Sequence, residues 1–120
     1  MILADTSIWV DHLRSSNQLF ADLLDGGRVL THPWVIGELV LGGLNDLALK
    51  LLRGMPRATV ATEDEVLHLI TRERLSGKGI GYVDAQLLAA SRLTLGSKLW
   101  TKDTRLLRAA EAVGTRFLPA

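Results

Sequence analysis

Short apolar runs alternate along this chain with longer segments whose apolar residues recur at helical spacing. Ile2-Leu3-Ala4 opens as a buried strand. From Asn17 to Asp25 the apolar residues gather on one face and the acids on the other. That predicts an amphipathic helix stopped by Gly26-Gly27. Arg28 to Thr31 reads as a second strand, and Pro33 suits the first turn of a helix running to Leu41. Asp46 to Arg53 is another helix, ended by Gly54 and Pro56. Thr59-Val60-Ala61 is expected as strand three. Thr62 and Glu65 form a capping box for a helix to about Leu75. Tyr82 to about Leu95 is an apolar, Ala-rich helix, and Lys98 to Thr101 is strand four. Thr104 is expected to cap a last helix to Val113, and Arg116-Phe117-Leu118 to add an edge strand.

Strands alternating with helices predict an α/β domain: a parallel, Rossmann-like sheet of four to five short strands with helices on both faces. The pattern holds from 1 to 120 without repeat, linker or low-complexity tract, so the chain reads as one domain. In such sheets ligands sit beyond the carboxyl ends of the strands, where strand order reverses. Chemistry is therefore expected just after a strand or at the start of the next helix.

The acids are placed unevenly against this frame. Asp5 is the sole charge from Met1 to Val10, Glu38 from Val29 to Asn45, and Asp84 from Gly79 to Ser91. Each lies in apolar sequence that is expected to be largely buried. A buried carboxylate costs several kcal/mol unless it is paired or bound to a metal. Asp103 follows a predicted strand, at the position the fold rule selects, although it also suits a helix N-cap. Asp5 ends a strand as well. If the first and fourth strands are neighbours, their tips meet, and Glu38 and Asp84 are placed to converge there. Asp11, beside His12 and Arg14, reads as surface.

Four carboxylates in one cleft repel one another unless cations neutralise them. Oxygen-only ligands suit Mg²⁺, or Mn²⁺ as a substitute, and not zinc. The chemistry implied is metal-assisted phosphodiester hydrolysis. The competing reading is a set of structural acids, each satisfied by an arginine or a backbone N–H.

Composition narrows the classes. The chain is 48% apolar, which excludes intrinsic disorder. It has no cysteine, which excludes disulfide scaffolds, thiolate zinc sites, iron–sulfur clusters and cysteine nucleophiles. No charge-free stretch exceeds the nine residues Val29 to Gly37, too short for a membrane span. The opening residues do not read as a secretory signal, and a cytoplasmic protein is expected. The net charge of +1 does not mark a strong phosphate binder. The stretch from Arg92 to Arg116 is nonetheless rich in cations, which read as a solvated helix face or as contacts for a nucleic-acid backbone.

Four segments carry a family resemblance: Asp5-Thr6-Ser7-Ile8-Trp9, His32-Pro33-Trp34-Val35-Ile36-Gly37-Glu38-Leu39, Gly79-Ile80-Gly81-Tyr82-Val83-Asp84-Ala85 and Leu99-Trp100-Thr101-Lys102-Asp103. Together they resemble the PIN-domain ribonucleases and, more narrowly, the VapC toxins of toxin–antitoxin pairs. The resemblance spans nearly the whole chain. It implies that Asp5, Glu38, Asp84 and Asp103 are the catalytic quartet around Mg²⁺ or Mn²⁺. It also implies that Ser7 and Thr101 supply hydroxyls supporting the metal or its water. The implied activity is endoribonuclease cleavage of an RNA of translation, tRNA or rRNA, to arrest growth. The implied partners are a VapB-like antitoxin covering the cleft and a second copy in a homodimer, with a toxin–antitoxin hetero-oligomer as the larger assembly.

Other residues divide between structure and function. Lys102, Arg105 and Arg108 are candidate RNA-backbone contacts, although Lys102 and Arg105 equally suit a pairing that holds Asp103. His32 is a minor candidate for proton transfer, and His68 reads as core-edge or surface. Trp9, Trp34 and Trp100 read as core, with base stacking the alternative. Gly79 and Gly81 could bring backbone N–H groups to a phosphate. Two further readings compete with the nuclease. An aspartyl-nucleophile phosphatase wants a second Asp where Ser7 stands, which weighs against it. A receiver-like or adaptor module that binds and cleaves nothing wants an acidic pair near strand one, which Asp5 lacks.

Overall fold

Ile2 to Ala4 form β1, and all three residues are buried. Successive strand residues point to opposite faces, so burial of every one means that both faces of the strand are covered. The computed structural model describes residues 1–119. In chain order β1 is followed by α1 (Thr6–Ser15), α2 (Gln18–Asp25), β2 (Val29–Leu30), α3 (Pro33–Leu41) and α4 (Asp46–Arg53). Then come α5 (Glu63–Arg72), α6 (Tyr82–Leu93), β3 (Lys98–Trp100) and α7 (Thr104–Ala112).

The three strands pair in parallel in the order β2-β1-β3. Ile2 faces Val29 and Lys98, and Ala4 faces Trp100. The chain leaves β1 to one side and returns on the other. The strand order therefore reverses between β1 and β3, and their carboxyl ends lie together: the Asp5 N–H donates to the Trp100 carbonyl at 3.0 Å. Single parallel bridges widen the sheet at each edge, Thr31 to Arg57 and Leu99 to Arg116. Counting these bridges, five parallel segments lie side by side.

Several expectations need correction. Residues 59–61 form no strand. The edge contact falls earlier, where the Thr31 N–H donates to Pro56 and the Ala58 N–H donates to Thr31. The Thr59 N–H is claimed by the Thr94 hydroxyl at 2.8 Å, which leaves it nothing for a ladder. The expected edge strand at 116–118 is the single bridge at Arg116. The helix begun by Thr62 does carry its capping box, but it ends at Arg72, before the left-handed Arg74. The Tyr82 helix ends at Leu93. Asp103, not Thr104, caps α7, accepting from the Arg105 and Leu106 N–H groups. Helix α1 goes unread in the pattern because Ile8-Trp9-Val10 is a continuous apolar run that masks its period. Its cap is Asp5, which accepts from the Ile8 N–H.

The core is aromatic at its centre. Phe20, fully buried, meets Trp9 edge-on at 4.8 Å and Trp100 at 5.9 Å. Trp34 departs from the expected core role: it is 39% exposed and leans on Tyr82, with ring centroids 5.8 Å apart. Among the described residues no helix is long and apolar enough to cross a membrane.

Candidate acidic active site

Asp5 caps α1 directly after β1. Burial pushes its carboxyl above the usual carboxylate range, and its hydrogen bonds pull the other way. Oδ1 accepts from the Ser7 hydroxyl at 2.5 Å and from the Ile8 N–H at 3.2 Å, while Oδ2 accepts from the Thr101 hydroxyl. Thr101 lies just past β3 and in turn accepts from the Asp103 N–H at 3.0 Å. Ser7 accepts from the Lys102 N–H at 3.0 Å. Two hydroxyls thus stitch the tips of β1 and β3 together around Asp5, and the same stitch places Asp103.

The other acids are held in a shared manner. Glu38 Oε1 accepts from the Thr6 hydroxyl at 2.5 Å, Asp84 Oδ2 from the Gly81 N–H at 3.1 Å, and Asp103 Oδ1 from two α7 N–H groups. Each has one oxygen fastened. Among the described residues the second oxygen of each has no protein donor. Nor does any ion pair among the described residues involve these four acids.

Charge also ties the four to one region. Burial pushes the Asp84 carboxyl up, the Gly81 N–H partly offsets this, and the negative charges of Asp103, Asp5 and Glu38 push it further up. The expectation that the isolated acids are buried holds for Asp5 alone. Asp84 is half-buried, while Glu38 and Asp103 are exposed. On α3, the residues Trp34, Glu38 and Leu41 share one face, which the chain leaves uncovered, and Leu41 is 90% exposed. Apolar neighbours in sequence therefore did not mean a buried environment for Glu38.

Among the described residues no three acids are close enough together to hold one ion. Mg²⁺ commonly keeps several waters and takes one or two carboxylates. The unclaimed oxygens of Glu38, Asp84 and Asp103 fit that mode: hard donors, anchored from behind and lacking cations.

The remaining candidates separate. The Lys102 ammonium pairs with Asp11 at 2.7 Å, so it neither holds Asp103 nor leaves Asp11 as plain surface. The Arg105 and Arg108 side chains are exposed on α7. Gly81 gives its N–H to Asp84, not to a ligand. His32 is fully buried and caps α3, its Nδ1 accepting from the Trp34 N–H at 3.1 Å. Burial, with the Arg57 charge beside it, lowers its pKa to about 4. It is a neutral structural cap, not a proton carrier for the cleft. His68 is exposed on α5. Thr6, which the pattern of lone acids does not single out, is the residue that fastens Glu38. Its signal was present as a second hydroxyl beside Asp5.

Comparisons with known proteins identify the family. A family model for the PIN domain matches residues 2–112. Ribonuclease VapC32 of Mycobacterium tuberculosis is 45% identical over 116 residues, covering 95% of this chain and 94% of the relative, in strain CDC 1551 / Oshkosh and in strain ATCC 25618 / H37Rv alike. The crystal structure of FitAcB from Neisseria gonorrhoeae matches with a TM-score of 0.62 at 21% identity, over 92% of this chain and 94% of that one. At that identity the match speaks for the fold.

Proposed function

The chain belongs to the PIN-domain family, and from that premise we propose that it is a VapC-type endoribonuclease, the toxin of a toxin–antitoxin pair. The observation that carries the reading is that Asp5 and Asp103 meet through Thr101 at the β1/β3 switch point, with Glu38 tied to the adjoining Thr6, Asp84 near enough to feel the other three charges, and, among the described residues, no ion pair neutralising the four. We assign these four as the catalytic acids. One or two of Glu38, Asp84 and Asp103 would hold Mg²⁺ or Mn²⁺ directly through their unclaimed oxygens, the remainder acting through the ion's waters, and Asp5 would set the charge behind them. A divalent cation bound there supplies activation of a water and neutralisation of charge on the scissile phosphate.

The chain's own residues do the positioning. Thr101 and Ser7 hold Asp5, whose buried charge biases the cleft toward cations. Thr6 fixes the Glu38 carboxylate, and the N-terminal N–H groups of α7 fix Asp103. Arg105 and Arg108, just beyond Asp103 on α7, are placed to meet the backbone of an RNA such as tRNA or rRNA. Lys102, paired with Asp11, is the weakest of the three RNA contacts.

A partner surface accompanies the site. An apolar groove of about 460 Å³ runs between α1 and α4, lined by Trp9, Leu13, Leu44, Ala48 and Leu51. Leu13, Leu44 and Ala48 also line a second groove that reaches Glu38. Leu13 and Leu51 are more than half exposed there. A VapB-like antitoxin segment lying in this path would reach the cleft. The exposed apolar end of α3 at Val40 and Leu41 offers a surface for a second copy, as in a homodimer. Action on RNAs of translation implies a cytoplasmic protein.

The non-catalytic receiver-like reading gains no support. Both oxygens of Asp5 are engaged and the residue is 6% exposed, so a phosphodonor has no approach to it. Cleavage of total bacterial RNA by purified protein, with Mg²⁺, with Mn²⁺ and with EDTA, tests the proposal beside Asp84→Asn. Discrete metal-dependent cuts that vanish in the variant are expected. Equal cleavage in EDTA, or by the variant, would refute it.

A further inference from the structure

Between α7 and the α5–α6 loop lies a groove of about 440 Å³, lined by Glu73, Lys78, Arg105 and Arg108 together with small and apolar residues of both. Its charge is lopsided. Glu73 is paired with Arg92 at 3.2 Å, which leaves the acid largely neutralised. Among the described residues Lys78, Arg105 and Arg108 make no ion pair. Lys78 and Arg108 are exposed at the groove's rim.

Arg105 joins the groove to the acids. Its N–H donates to Asp103 at 2.9 Å, and its side chain lies across Gly79. A Cβ at Gly79 would stand 2.7 Å from the Arg105 Cδ, and the backbone there has φ +77°, so glycine leaves the space that the arginine fills. Two residues later the Gly81 N–H fixes Asp84. One guanidinium thus leans on the loop that positions one acid, while its own backbone positions another.

Resting on the ribonuclease reading, we propose that Lys78, Arg105 and Arg108 form a track for the single-stranded RNA backbone leading away from the cleavage site. The occupant is a polyanion because three unpaired cations line one groove and no free acid opposes them. It is continuous with the acids through Arg105, so phosphates on the track belong to the same strand as the scissile one. Lys78 lies outside all four motif segments, and only the loop's approach to α7 brings it into line.

The test is binding of a fluorescein-labelled single-stranded RNA in EDTA across a salt series, with the parent chain and with Lys78→Gln/Arg108→Gln. Both positions are exposed, and an unchanged circular dichroism melt would establish folding. Loss of two phosphate contacts should lower the slope of log affinity against log salt by about 1.4, and weaken binding on the order of tenfold at 0.1 M salt. An unchanged slope and affinity would overturn the track, as would a parent chain that binds no RNA. Cleavage is scored separately on the parent chain. Cutting with an unchanged slope sinks the track and leaves the nuclease. A reduced slope without any cutting sinks the nuclease and leaves an RNA-binding groove.

Discussion

Thr101 donates its hydroxyl proton to Asp5 from the neighbouring strand's tip, although 96 positions separate the two residues in the chain. The same oxygen accepts from the Asp103 N–H, so one buried hydroxyl orients two acids. Thr101→Val keeps the shape and removes both bonds. It should cost about 2 kcal/mol of stability, the scale of a buried hydrogen bond to a charged group. It should also lower cleavage about tenfold or more. Thr101→Ser should restore most of both. Urea melts and RNA cleavage measure this; a valine variant with parental stability and activity would remove Thr101 from the site.

Asp84 has its pKa raised by burial and by three neighbouring acids. A carboxyl that holds its proton more tightly when folded favours the fold while protonated, and that benefit is lost as pH rises through the raised value. At neutral pH the ionised group therefore opposes folding. Asp84→Asn should raise the metal-free melting temperature by about 3 °C. It should also abolish stabilisation by Mg²⁺, which binds the native state by mass action. Differential scanning fluorimetry with EDTA and with Mg²⁺ decides it. A parental response to Mg²⁺ in the variant would exclude Asp84 as a ligand.

Glu38 is the contrasting case, being exposed and held only by Thr6. After Glu38→Gln the side-chain amide carbonyl can still accept from that hydroxyl. The substitution should therefore change stability by less than about 0.5 kcal/mol, while cleavage falls about tenfold or more. Retained cleavage would reassign Glu38 to the partner surface alone.

His32 supplies a pH dependence of the opposite sign. Its folded pKa of about 4 lies below the ordinary 6.5. The stability it contributes is present above about pH 6.5 and is lost as pH falls toward 4, because there the unfolded chain takes up a proton that the buried cap refuses. The full effect is on the order of 3 kcal/mol. His32→Asn keeps a capping acceptor and should flatten the loss between pH 7 and pH 4.5, read by denaturant midpoints. Parallel curves for parent and variant would show that another group sets the acid limb.

The local pattern by itself determined most of the helices and all three strands of the sheet. Capping residues, glycine stops and apolar spacing act over a few residues, so they are written where they act: Thr62 with Glu65, Gly54 after α4, Pro33 at the start of α3. The acids were legible for a similar reason, since a lone charge in an apolar segment needs an explanation. Helix α1 is masked in the sequence because its apolar run is continuous, and residues 59–61 form no strand because a remote threonine hydroxyl claims the Thr59 N–H. The exposure of Glu38 also lay beyond the pattern. An apolar helix face states that something must cover it, not that its own chain does. Only the tertiary structure decided that Asp5 and Asp103 meet through Thr101, that Thr6 reaches Glu38, and that Lys78 lies in line with Arg105. Those pairings join residues far apart in the chain, and their energies depend on how the strands cross over, which no local run of residues encodes.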